Sequence, residues 1–265
     1  MSCKFSDLAC ENFKSTEKAA QKQCETNIFF ERISDKIERQ TFTFTDGDNK
    51  KSTVYFIPPL TEISDIDFNH SKALLSSNIR ALIDECSDIK TDAFSVLIVG
   101  LGNPIFSTDS LGPETVKNIK TTSINAKKKA VYSVIPNVEI NTGISSASHI
   151  LALSQGLRPN VVIVVDSLAA GSIERLASTV QISNYGLAPG SGLGRTRQRI
   201  DKDLLGIPVI SMGIPTVVDL SAVISNEKSA DIEKKYFVTP NEIELVIKAG
   251  SILLSDAINS AIWGN

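Results

Sequence analysis

From Phe94 onward the chain alternates between short β-branched runs and longer stretches whose apolar positions recur three and four apart. The runs are VLIVG at 96–100, VYSVI at 131–135, VVIVVD at 161–166 and IPVISMG at 207–213. Continuous apolarity, rather than in-out alternation, predicts strands covered on both faces. Between them the spacing predicts helices at about 113–121, 146–156, 217–225 and 241–262. The last is introduced by Thr239-Pro240, with Glu242 three residues past the threonine, which predicts a capped first turn. Strand, turn and helix in regular order predict an α/β fold, a mostly parallel or mixed central sheet flanked by helices.

The first 90 residues are more polar. TFTFT at 41–45 and STVYFI at 52–57 flank the turn Asp46-Gly47-Asp48 and predict a strand pair. From about Phe68 to Asp88, Leu74, Leu75, Ile79, Leu82 and Ile83 fall on one helical face. Neither an internal repeat nor a low-complexity linker divides the chain. Residues 1–265 therefore read as a single α/β domain, with 1–90 an N-terminal elaboration made of a strand pair and a helix.

Composition narrows the function. With 42% hydrophobic residues and a net charge of -3, the 265-residue chain can bury a large core and lacks the basic excess of a nucleic-acid binder. Lys127-Lys128-Lys129 reads as a solvated loop, and Arg195, Arg197 and Arg199 form a second basic cluster. No basic N-terminus leads into an apolar segment, and no apolar run approaches the roughly 18 residues of a membrane span. A soluble, cytoplasmic protein is expected. The four cysteines lack CxxC spacing and only two histidines are present, so reduced structural thiols are expected and neither a metal nor a cofactor.

The stretch Val96–Pro104, VLIVGLGNP, raises the question of what its glycine turn presents. A dinucleotide fingerprint needs a third glycine where Ile105 stands, and Pro104 removes an amide that could hold phosphate. The IVGLGNP letters also resemble the opening of bacterial peptidyl-tRNA hydrolases, but the histidine base of that family has no counterpart between His70 and His149. The third reading makes Asp109 the point of the turn. Asp166 ends the run VVIVV in the same manner, and ligands of open α/β sheets gather at such strand ends. Either aspartate alone could be a helix N-cap. Together they can divide one proton and so work a single water as acid and base.

The blocks TDSLGP at 108–113, PNVVIVVDSLAAGSIERL at 159–176, TVQISNYGLAPGSGLGRTR at 179–197, LGIPVISMGIPTVVD at 205–219 and FVTPNEIELVI at 237–247 resemble the germination proteases of spore-forming bacteria. A weaker match reaches Phe5-Ser6-Asp7-Leu8-Ala9. The resemblance implies an atypical aspartic endopeptidase that degrades small acid-soluble spore proteins in the spore core. It further implies an α/β fold similar to hydrogenase-maturation proteases, a homo-oligomer (a tetramer in the family) and activation by loss of a prosegment. It places the catalytic pair on Asp109 and Asp166. Gly102, Asn103, Ser167, Gly190, Ser191, Gly192 and Thr216 are the residues expected to face substrate. The glycines of 186–194 would let backbone approach a peptide or offer amides to an oxyanion, and Ser110 and Ser167 would orient the neighbouring aspartates. Asp219 reads as a cap of the helix that follows it.

The chain departs from the family pattern in three places. Only five residues precede Ser6-Asp7-Leu8-Ala9, little room for a prosegment. The segment joining TVVD to FVTP is cut to about NEKSADIEKKY, and Ser145 stands where the family carries an acid after TGI. His149 could join Asp109 and Asp166 only if a metal were held as in the maturation proteases, and a structural role mid-helix is the expectation. Two other functions stay open at this point, a non-catalytic paralogue and a maturation protease for another protein.

Overall fold

The computed structural model describes residues 7–10, 26–44, 49–86, 94–122, 129–190, 197–220 and 236–264. Among the described residues, nine strands share one mixed sheet: β1 (Thr26–Arg32), β2 (Glu38–Phe44), β3 (Lys50–Phe56), β4 (Phe94–Gly100), β5 (Lys129–Val134), β6 (Val161–Ala170), β7 (Thr179–Ser183), β8 (Val209–Asp219) and β9 (Phe237–Val238). Their order is β1-β2-β3-β7-β8-β6-β4-β5, with β9 paired to β8. The strands β8, β6, β4 and β5 run parallel, and β1, β2, β3 and β7 extend the sheet antiparallel.

The apolar runs earn their burial on two sides. Val96 and Ile98 of β4, with Val161, Ile163 and Val165 of β6, pack under helices α1 (Asp65–Cys86), α2 (Leu111–Lys117) and α4 (Ile243–Trp263). Leu97, Val99, Val162 and Val164 point the other way, against Ile150 of α3 (Ser146–Leu157) and Leu205 of a short helical turn. Successive strand residues face opposite sides, so only an unbroken apolar run satisfies both layers. Each such side chain contributes roughly 1.5–3 kcal/mol on burial.

Four expectations change. The N-terminal elaboration has three strands rather than two, and β3 pairs with β7, so it widens the main sheet. The predicted helix at 217–225 begins instead as strand: β8 runs on to Asp219, which pairs with Phe237 in β9, while 221–225, where the helix that Asp219 was expected to cap would lie, are outside the described residues. Thr239 does not cap α4, since its hydroxyl donates to Thr216 O at 2.8 Å and the helix starts at Ile243. Lys129 is not simply solvated, because its Nζ donates to Ile262 O at 2.8 Å. The turn at Asp46–Asp48 lies outside the described residues, as do Lys127 and Lys128. Helix α4 is long and apolar enough to cross a membrane by length and composition, yet here most of it is buried in the core between α1, α2 and the sheet.

Candidate active site

The loop after β4 is shaped by close backbone approach. Gly102 takes φ +115°, and a Cβ there would lie 1.9 Å from Asp109 O. That approach lets the Asn103 N–H reach both Asp109 O and Asp109 Oδ2, each at 2.9 Å. The Asn103 carboxamide in turn accepts from Ile105 N–H at 3.0 Å, bending the chain outward. Asp109 closes a one-turn 3₁₀ helix, Ser107–Asp109, immediately before α2. It is half-buried, several residues past the strand end and not on it. Its carboxylate receives an amide from the glycine loop, and Ser110, not Asp109, occupies the N-cap position of α2.

Asp166 lies within β6 and does not end it. On this strand the even-numbered side chains share a face. Val162 and Val164 belong to the apolar patch under α3, while Leu168 and Ala170 belong to another with Leu8, Val54 and Phe42. Asp166 occupies the gap between them. Across the sheet it aligns with Gly213 of β8, which aligns with Gln181 of β7. A Cβ on Gly213 would meet the Asp166 backbone O at 2.3 Å, so only glycine lets β8 approach β6 this closely at Asp166. Asp166 is buried, and its proton is held well above the usual carboxylate range. Loss of water is the main cause, followed by the nearby charges of Asp109 and Asp7. An amide from Ser167 at 2.9 Å and the charge of Arg197 oppose the shift. A buried acid that keeps its proton beside a half-buried carboxylate can give and take protons in one cycle.

The other expected residues divide. Thr216 is fully buried and donates to Thr108 O at 2.7 Å, which ties the Asp109 turn to β8. Ser167 serves Asp166 through its amide; its hydroxyl projects from the opposite face of the strand and makes no hydrogen bond to a described residue. Ser110 donates its hydroxyl to Ser107 O at 3.0 Å and does not orient Asp109. Gly190 has φ +71° at the end of the described part of the glycine loop, and Ser191, Gly192 and Arg195 lie outside the described residues. Arg199 holds Asp201 at 3.3 Å and the Tyr185 carbonyl at 3.1 Å. His149 is half-buried in α3, and among the described residues no group of three His, Cys, Asp or Glu side chains is placed to hold a metal.

A cavity of about 230 Å³ opens beside Asp166, lined by Asp7, Gln181, Tyr185, Leu187 and Arg199 among others. Neither Asp7 nor Gln181 was singled out by motif spacing. Asp7 comes from the far N-terminus, and the only signal for it was the weak Ser6–Ala9 likeness. Asp109 does not line this cavity.

The sequence model of the germination protease family matches residues 6–234. A germination protease of Clostridium acetobutylicum is 28% identical over 282 residues, covering 89% of this chain and 83% of that protein. One from Caldanaerobacter subterraneus subsp. tengcongensis is 34% identical over 243 residues, 75% of this chain and 74% of that protein. One from Geobacillus sp. reaches 42% identity over 159 residues, 57% of this chain and 42% of that protein. With a match over most of its length and relatives of this similarity, the chain belongs to the germination protease family and is a peptidase.

Proposed function

We propose that the protein is an endopeptidase that cleaves small acid-soluble spore proteins in the spore core, using a water shared by Asp109 and Asp166. The observation that carries this reading is the coupling of the two acids: the Asp109 charge helps raise the Asp166 proton above its ordinary range. In the working state Asp166 is the acid and Asp109 the base. Asp109 takes a proton from the attacking water, and Asp166 delivers one to the departing amine. Gly102 and Asn103 hold Asp109 in place, and Gly186, Leu187 and Ala188 border the cavity where peptide would lie. The family likeness also supports assembly as a homo-oligomer, without nucleic acid or membrane as partner.

The test is cleavage of a purified small acid-soluble spore protein by the purified chain, monitored by mass spectrometry. Asp109→Asn and Asp166→Asn should each reduce kcat by at least about 10³-fold, the scale on which removing half of a cooperating pair acts, with circular dichroism unchanged. Activity should fall as pH rises through the elevated Asp166 value, because the acid form is then lost. Wild-type turnover by both variants would refute the assignment.

A further inference from the structure

We propose that Asp7 is a positioning residue of this site, docked on β6 and β7 so that it walls the cavity that Asp166 also lines and acts on Asp166 from there. Four hydrogen bonds fix the segment. The Asp7 N–H donates to Ala169 O at 2.9 Å, and the Ala169 N–H donates back to Asp7 Oδ2 at 2.9 Å. Gln181 clamps both sides of the bend, donating from Nε2 to Asp7 O at 3.1 Å and accepting the Ala9 N–H at 2.7 Å. Leu8, Ala9 and Cys10 are buried against Leu168, Ala170 and Val54, so the carboxylate is carried on a packed element.

The hydrogen bond from Ala169 does not itself require a charge. A neutral carboxamide would accept the same Ala169 N–H without placing an anion beside a buried acid. The anion acts on Asp166 in the same direction as burial and Asp109, while Arg197 and the Ser167 amide act against it. Arg199 and Tyr185 also line the shared cavity. The inference rests on the reading of Asp166 as the acid of the pair, and it assigns the N-terminal segment to the machinery that keeps it so.

The experiment compares wild type, Asp7→Asn, Asp166→Asn and the double variant by urea unfolding across pH. Because the folded state raises the Asp166 proton affinity, its contribution to stability is fully present below the unfolded value near ~3.9 and is lost as pH rises through the folded value. The difference between wild type and Asp166→Asn isolates that loss. In the Asp7→Asn background its midpoint should move down by roughly one pH unit, the effect of removing one close like charge. The upper pH limit of kcat should fall by the same amount, with KM nearly unchanged. An unmoved midpoint overturns the role of Asp7. If Asp166→Asn still cleaves normally, the proteolytic reading fails, while the unfolding cycle still decides what Asp7 does to Asp166. Should Asp7→Asn not fold, Gln181→Leu removes two of the four bonds and leaves every carboxylate intact. Its midpoint must also move down, and an unmoved one overturns the proposal.

Discussion

Gly102 sets the geometry on which Asp109 depends. Its φ of +115° is one that side-chain-bearing residues avoid, and any Cβ would collide with the Asp109 carbonyl. Gly102→Ala should cost at least about 1–3 kcal/mol in stability from the backbone alone, read by urea unfolding. It should also cut kcat more than it raises KM, since the loop that presents Asp109 must shift. The two central aspartates were legible because each closes or follows a β-branched run. Asp7 was not legible, since its partners Ala169 and Gln181 are more than a hundred residues away and no local pattern encodes that pairing. Ser167 was misjudged for a simpler reason: strand alternation sends its side chain away from the neighbour that its amide serves.

Among the elements, the strands were the more readable. Runs covered on both faces announce themselves, as β4 and β6 do. The continuation of β8 through TVVD did not, because Thr, Val and Val suit helix and strand spacing equally over so short a span. What decides it is pairing: β6 follows β8 past a shift at Leu168/Ala169, and β9 covers the other edge. β1 was missed because Phe29 and Phe30 are both largely exposed, which removes any alternation. Helix α4 gives the clearest energetic test at this scale. Leu254 is fully buried at its centre, in the cluster that includes Ile79, Leu111 and Ile214. Leu254→Ala should lower unfolding free energy by about 2–5 kcal/mol, measured by chemical denaturation, with the Asp166 pH dependence left in place.

For the molecule as a whole, the pairing of β3 with β7 makes the N-terminal strands part of the sheet that carries Asp166. We therefore expect one cooperative unfolding transition. Fluorescence of Trp263, the single tryptophan, sits on α4 and reports the helical layer, whereas far-UV circular dichroism reports the strands as well. The two denaturation curves should superimpose; an early dichroism transition would show that β1–β3 melt separately. The overall α/β class was legible from the order of apolar runs, but the width of the sheet was not, because β7 joins to strands more than a hundred positions earlier.

The gap that Asp166 fills between two apolar patches has a practical consequence for anyone improving this protein. An apolar or neutral side chain would suit that hole better than an acid at neutral pH, so laboratory evolution that rewards heat tolerance alone should discard the carboxyl early. Libraries sorted without a turnover screen would then be enriched in hardy, silent clones, and the position most often altered would itself mark the working centre.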